Sequence, residues 1–356
     1  MRGGRVAVYR RIEGSSHQMT CLAFTLPLTE RTIRFMDTSR LAFPSWVHAL
    51  TLAERTQLLS ENARLRSNGS HDPALGQRRL ARWREQPPFN DETIFSRRLA
   101  ADGLDVENFE WVLSLPVEDL TNGQHGVPSW ASTVEEAYAN QSSTVVELPP
   151  GEEMLGFLEL VQPLVDRACQ QLATGLQAIA EQAPSLPYDP ETIEDILLFN
   201  LADPLLLRLG RTLALELNIA RLQGQLDGHT PEERFQDFLT RLHRSEEAVA
   251  ILAEYPVLAR QLTICMEQWV DVSLEFVEHL CSDWDQIKER FCSNEEPGLL
   301  VDLMGGAGDT HRQGHSVMIA EFESGFRLVY KPKSMAVDEH FQMLLAWVNS
   351  RGCQPP

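Results

Sequence analysis

A glycine-rich segment near the end of the chain contains residue types that are typical of phosphate binding. Residues 305–314 read GGAGDTHRQG, and Lys331 follows in the sequence VYKPK. Because glycine has no Cβ, the backbone N–H groups of such a loop can approach an anion closely. A lysine can add an ammonium charge to the same anion. Gly306, Gly308, Gly314 and Lys331 are therefore candidate phosphate-binding residues.

The residues after this loop have the alternation of a β-hairpin. In Ser316–Phe322 and in Phe326–Lys331, successive side chains form the alternating pattern of a strand with two different faces. Gly325 between these runs can take the positive φ of a tight turn. In kinase-like small lobes, a glycine-rich hairpin covers the nucleotide phosphates and a strand lysine holds them. The glycine spacing is that of neither a P-loop nor the protein-kinase loop, so the pattern alone leaves open a hairpin that only packs.

Most of the chain before this hairpin has helical periodicity. Thr51 with Glu54, and Thr230-Pro231 with Glu233, are helix starts of the capping-box type. The leucine-rich segment 192–226 predicts a buried helix or helix pair interrupted at Pro204, and 257–291 predicts one long helix. The predicted fold class is mainly α with a small β-hairpin lobe (α+β).

We divide the sequence into three segments by their patterns. Residues 1–44 show little pattern, although VAVY can form a short strand; 45–298 are the helical region; 299–356 are the hairpin lobe with a following amphipathic helix. In kinase-like lobes that helix carries an acid that pairs with the lysine. Asp338 or Glu339 can serve, but acids in a first helical turn also commonly act as helix-dipole partners.

Composition and charge exclude several classes of partner. The 356 residues carry 31 basic and 51 acidic side chains, a net charge of −20. Such an acidic surface disfavours nucleic acid and anionic lipid as partners. No apolar run has the length of a membrane span, and six scattered cysteines without metal-ligand spacing are typical of core residues in a cytosolic protein. The expected location is the cytoplasm. His48, His243 and His279 lie singly in helical patterns and receive no role.

Five segments of the sequence resemble the N-terminal dehydratase region of class II lanthipeptide synthetases, the LanM-type enzymes. They occur in the order of that family over about residues 45–356. The most specific is the GGAGDTH loop followed by VYKPKS. The segments are RLARWREQPPFNDETIFSRRLAADGL, HTPEERFQDFLTRL, EYPVLARQL, GGAGDTHRQG and FRLVYKPKSMAVDEHFQMLLAWVN.

The resemblance implies an enzyme of lanthipeptide biosynthesis with a helix-elaborated lipid-kinase-like fold. Such enzymes use ATP and Mg²⁺ to phosphorylate Ser and Thr of a ribosomally made precursor peptide. They then eliminate phosphate to form dehydroalanine and dehydrobutyrine, and a zinc-dependent cyclase domain follows. By position in the motifs, Asp309 and His311 would belong to the phosphorylation loop, and Lys331 would contact phosphate.

The sequence departs from the family pattern in two respects. His315 stands where the family loop usually has arginine, which removes a permanent cation near the nucleotide. The later block that supplies the magnesium ligands in the family is absent from these residues. The elimination residues and the zinc cyclase are absent from them as well. We therefore expect an incomplete small lobe that is inactive without a missing C-terminal half. The alternatives are a stand-alone remnant that binds peptide or nucleotide without chemistry, and a helical scaffold.

Overall fold

The architecture is that of a computed structural model, which describes most of the chain. The described residues are 6–10, 20–24, 44–61, 71–116, 120, 127–139, 153–183, 185–292, 295–310 and 312–352. The helices within them, in chain order, are α1 (Leu52–Glu61), α2 (Pro73–Glu85), α3 (Glu92–Ala101), α4 (Val106–Ser114), α5 (Ser129–Ala139), α6 (Gln162–Gln182), α7 (Ile193–Leu222), α8 (Pro231–Leu242), α9 (Ser245–Glu254), α10 (Pro256–Phe291) and α11 (Ala336–Ser350). Short 3₁₀ segments span Pro44–Ala49, Glu153–Val161 and Arg312–Gly314.

The described strands form two small antiparallel sheets. β1 (Val6–Arg10) pairs with β2 (Thr20–Phe24), and β3 (Leu300–Met304), β4 (Met318–Phe322) and β5 (Arg327–Tyr330) form a three-stranded sheet in that order. The prediction of a mainly α fold with a small β lobe is confirmed.

The predicted hairpin is present as β4 and β5, and Gly325 in its turn has φ 82°. β3 was not predicted. It pairs with β4 on the side opposite β5, with an irregularity between Leu300 and Asp302. The sequence LVDLM has no regular alternation, because that irregularity leaves two successive residues, Val301 and Asp302, exposed.

By contact density the chain forms two compact units, each built from separated stretches of sequence. Unit 1 comprises residues 1–29, 166–205 and 265–356, and unit 2 comprises 30–165 and 206–264. The division into 1–44, 45–298 and 299–356 that the sequence patterns favour stays a prediction.

In unit 1, the three-stranded sheet packs one face on α10. The ring of Trp284 stacks on Phe322 with centroids 5.1 Å apart, and Phe276 meets Tyr330 edge to face at 5.3 Å. Leu300, Leu303 and Phe322 are buried. α6 approaches α10 closely at Gly175, where a Cβ would lie 2.5 Å from Leu274 Cδ1. These contacts make α10 the support of the sheet.

In unit 2, a cluster of aromatic rings joins three short helices. Phe95 of α3 and Phe109 of α4 are almost fully buried, with centroids 5.9 Å apart. Trp83 of α2 packs edge to face on Phe109 at 5.7 Å. Asp91 caps α3 by accepting hydrogen bonds from the N–H groups of Thr93 and Ile94.

Both capping boxes predicted from the sequence are present. Glu54 N–H donates to Thr51 Oγ1, and the Glu54 carboxylate accepts from Thr51 N–H at 2.7 Å. Thr230 and Glu233 exchange the same pair of bonds at the start of α8. Each box supplies acceptors to N–H groups that have no partner within the helix.

The predicted break at Pro204 is wrong, because α7 continues through this residue from Ile193 to Leu222. Proline in a helix removes one backbone hydrogen bond and costs about 3 kcal/mol. Leu201, Leu205 and Leu209 are buried on either side of it. Burial of a leucine contributes about 1.5–3 kcal/mol, so the apolar contacts outweigh the lost bond.

Within the described residues, no single helix combines the length and apolar composition of a membrane span. The bent pair α9 and α10 reaches that length and apolar composition only when the two helices are counted together.

We predict that Arg260→Met lowers the free energy of unfolding of unit 2 by about 1–2 kcal/mol. Arg260 donates to both carboxylate oxygens of Glu54, at 2.6 and 2.8 Å, and to the carbonyl of Ala49. Its hydrogen bond lowers the pKa of Glu54 to about 2. Because that carboxylate is 37% exposed, screening by solvent reduces the contribution of the ion pair to stability.

The stabilisation from this pair should be complete above the ordinary glutamate pKa and disappear as the pH falls from about 4.5 towards 2. Urea unfolding at pH 7 and pH 3 measures both effects. Arg98→Met is the control, since Arg98 near the end of α3 pairs with Asp102, the residue that directly follows this helix. Equal destabilisation by the two variants would contradict the prediction.

Candidate functional site

The loop between β3 and β4 lies at the same end of the sheet as Lys331. Met318, the first residue of β4, pairs with Tyr330, the last residue of β5. The end of the loop that precedes β4 therefore lies beside Lys331, which directly follows β5. Lys331 is exposed, and the alternation along β5 turns it to the side opposite Tyr330.

The start of the loop is fixed by an asparagine from α7. Asn200 Oδ1 accepts a hydrogen bond from Gly305 N–H at 2.8 Å, and its Nδ2 donates to the carbonyl of Leu303 at 2.9 Å. A Cβ at residue 305 would lie 2.9 Å from Asn200 Oδ1. Glycine is therefore required here by the close approach of this side chain.

Two further hydrogen bonds close the loop on itself. Gly306 N–H donates to Ser316 Oγ at 3.1 Å, and Ala307 N–H donates to the carbonyl of Val317 at 3.1 Å. The N–H groups of Gly308, Asp309 and Thr310 donate to no residue in the described part of the chain. All three residues are exposed. The tip of the loop thus presents backbone donors to solvent, as an anion-binding loop does.

The predicted site residues have different environments. Gly306 has φ 70° and its N–H is bonded to Ser316, whereas Gly308 lies at the exposed tip. Gly314 has φ 83° and packs on Gln268 of α10. Asp309 is exposed beside Gly308. His311 lies outside the described residues.

The outer face of the sheet carries an apolar row beside the loop. Met304, Ile319 and Val329 are directly opposite one another on the three strands. Met304 is 53% exposed and Val329 is 54% exposed. The next row is polar, with Asp302 opposite Glu321 and Glu321 paired to Arg327. These three side chains together form an apolar row across the outer face of the sheet.

The inner face of the sheet carries a polar cluster against α10. His315 Nε2 lies 3.0 Å from Glu275 Oε2, and Tyr330 Oη lies 3.2 Å from Glu275 Oε1 and 2.9 Å from His279 Nδ1. The hydrogen bond with His315 holds the pKa of Glu275 below its usual range, against the opposing effect of desolvation. Burial and the neighbouring Glu275 raise the pKa of Tyr330.

These contacts change the interpretation of His315. The resemblance to the family loop implies that His315 replaces a cation near the nucleotide. In the structure its imidazole instead lies on the helix side of the sheet and contacts Glu275. Glu275 and His279 belong to α10, one helical turn apart. His279 received no role from the sequence, because its contact with Tyr330 joins residues 51 positions apart.

Asp338 and Glu339 both lie in the first turn of α11. Lys331 forms no ion pair with either of them within the described residues, and both acids are exposed. No side chain of α11 is buried, so Phe341, Leu344 and Trp347 of this helix are exposed. The proposed pairing of an acid with Lys331 stays a prediction.

Comparisons with known proteins match the part of the chain that holds this site. A family model described as a domain of unknown function, DUF4135, matches residues 255–356. The "Lacticin 481/lactococcin biosynthesis protein LcnDR2" of Lactococcus lactis subsp. lactis is 28% identical over 142 residues. The matched region is 40% of this chain and spans only 15% of the length of that relative.

We predict that Asn200→Ala loosens the start of the loop. It removes the acceptor of Gly305 N–H and the donor to Leu303, which costs about 2 kcal/mol. Amide exchange at Gly305 should become about thirtyfold faster. Asn218→Ala on the same helix is the control, because the exposed side chain of Asn218 accepts a hydrogen bond from the exposed Arg221. Unchanged exchange at Gly305 would contradict the assignment of Asn200 as its anchor.

Proposed function

We propose, on the premise that this chain is related to the class II lanthipeptide synthetases, that its three-stranded sheet binds ATP for the phosphorylation of a precursor peptide. The relationship supports a role in lanthipeptide biosynthesis. The sheet, its loop and Lys331 supply the surface on which ATP would lie. The observation that carries the proposal is that an apolar row, a loop with exposed backbone N–H groups and Lys331 lie at one end of the same sheet.

These three features suit the base and the phosphates of a nucleoside triphosphate. The apolar row of Met304, Ile319 and Val329 would contact the base. The exposed N–H groups at the loop tip, including that of Gly308, would donate to phosphate oxygens. Lys331 would neutralise part of the phosphate charge.

Phosphoryl transfer requires little covalent chemistry from the protein. The γ-phosphorus would form a bond to the hydroxyl oxygen of a Ser or Thr of the peptide, while its bond to the bridging oxygen of ADP breaks. Lys331 and the loop amides would orient the triphosphate and stabilise its charge. Loss of phosphate and of the α-proton from the phosphorylated residue would then give the dehydro residue.

Magnesium is the ion expected to accompany ATP. Within the described residues, no group of three or more His, Cys, Asp or Glu side chains is arranged to hold a metal ion. The described residues therefore supply no preformed three-ligand site for Mg²⁺ or for the zinc of a cyclase.

We predict that Lys331→Met lowers the affinity for ATP about tenfold, equivalent to about 1.4 kcal/mol. The variant removes the ammonium at the phosphate end of the proposed site. Titration calorimetry with ATP and Mg²⁺ on the whole chain measures the effect. Lys288→Met is the control, since Lys288 pairs with Asp285 near the end of α10. ATP binding that is equally strong in the Lys331 variant would contradict the proposal.

We also predict that Val329→Asn weakens binding of ATP but not of inorganic triphosphate. The change puts a polar amide in the apolar row and leaves the loop and Lys331 in place. Val301→Asn is the control, because Val301 is an exposed valine near the other end of the same sheet. Equal weakening of both ligands by Val329→Asn would show that this row does not contact the base.

A further inference from the structure

The carboxylate of Glu275, which α10 places against the inner face of the sheet, contacts residues next to two separate parts of the proposed nucleotide site. Glu275 Oε2 lies 3.0 Å from Nε2 of His315, which directly follows the loop glycine Gly314. Glu275 Oε1 lies 3.2 Å from the hydroxyl of Tyr330, which directly precedes Lys331. The loop exit and the lysine strand are thus joined through a single side chain of α10.

The hydrogen bonds of this cluster have a consistent direction. A charged carboxylate can only accept, so the Tyr330 hydroxyl donates its one proton to Glu275. The hydroxyl oxygen can then accept from Nδ1–H of His279 at 2.9 Å. His315 donates through Nε2–H to the other carboxylate oxygen. The order His279 to Tyr330 to Glu275, with His315 donating from the other side, satisfies both carboxylate oxygens.

The ring of Tyr330 restricts the geometry further. It meets the buried ring of Phe276 edge to face at 5.3 Å, and Phe276 is adjacent to Glu275 on α10. Packing therefore fixes the ring while the carboxylate fixes its hydroxyl. On the loop side, Ser316 is buried directly after His315 and accepts from Gly306 N–H. A shift of His315 would therefore also move Ser316 and, through its hydrogen bond, Gly306 at the start of the loop.

We infer that Glu275 is a positioning residue that holds the glycine-rich loop and Lys331 in one arrangement relative to each other. The inference rests on the proposed nucleotide site, to which it adds a residue that lies on the side of the sheet opposite the apolar row. Its effect on ATP must therefore pass through the loop and Lys331.

The first experiment measures ATP affinity of the whole chain and of three variants. Glu275→Ala should weaken binding about tenfold, because both contacts are lost. Glu275→Gln should restore most of the affinity, since its carbonyl accepts from Tyr330 and its amide group can donate to an unprotonated His315. Glu278→Ala should have no effect, because Glu278 is an exposed acid on the same helix.

A double-mutant cycle separates positioning from a general loss of stability. In the Lys331→Met background, Glu275→Ala should weaken ATP binding by less than in the unaltered chain, about twofold or less, since one of the two groups whose relative position it sets is already absent. Two effects that multiply in full would overturn the inference. Urea unfolding of each variant measures any loss of global stability beside the affinity.

Amide hydrogen exchange tests the same inference without a ligand. Glu275→Ala should speed exchange in both 305–316 and 327–331, and Tyr330→Phe should affect mainly 327–331 because its ring still packs on Phe276. Unchanged exchange in both segments would overturn the inference even if the chain binds ATP. If the unaltered chain binds no ATP, the proposed function fails, and the exchange result still decides whether Glu275 holds the two segments together.

Discussion

The glycine-rich loop depends on two polar side chains that reach it from long helices. Its glycines give it no apolar side chains with which to pack, so its backbone must be held by hydrogen bonds. Asn200 of α7 binds the residues that enter the loop, and Glu275 of α10 binds His315 where the chain leaves it. The helices of unit 1 therefore do more than bury apolar surface, because they set the position of the loop relative to the sheet.

The three-stranded sheet has different functions on its two faces. The inner face joins aromatic packing on α10 with the polar cluster at Glu275. The outer face exposes an apolar row, and Lys331 follows on the same side. Alternation along β5 is what allows this arrangement, since Tyr330 and Lys331 are neighbours in sequence but face opposite ways. The inner face can thus hold the strand while the outer face remains available to a ligand.

Local features of this fold were predictable from the sequence and long-range contacts were not. The turn at Gly325 and the capping box at Thr230 are determined by residues within a few positions of each other. Glu275 and Asn200 act on residues 40 and 105 positions away. Asn200, a polar residue within the leucine-rich first half of α7, was the available signal for the second contact. Pro204 shows the reverse case, where burial overrides a strong local preference.

Amide hydrogen exchange of the whole chain, with and without ATP and Mg²⁺, tests the central claim most directly. If the sheet binds ATP, the nucleotide should slow exchange at the loop tip, residues 308–310, and around Lys331. Segments of unit 2 such as α3 and α4 should exchange at an unchanged rate. Saturating ATP that leaves the loop unprotected, or that protects only residues outside 300–331, would contradict the assignment of this loop and sheet as a nucleotide site.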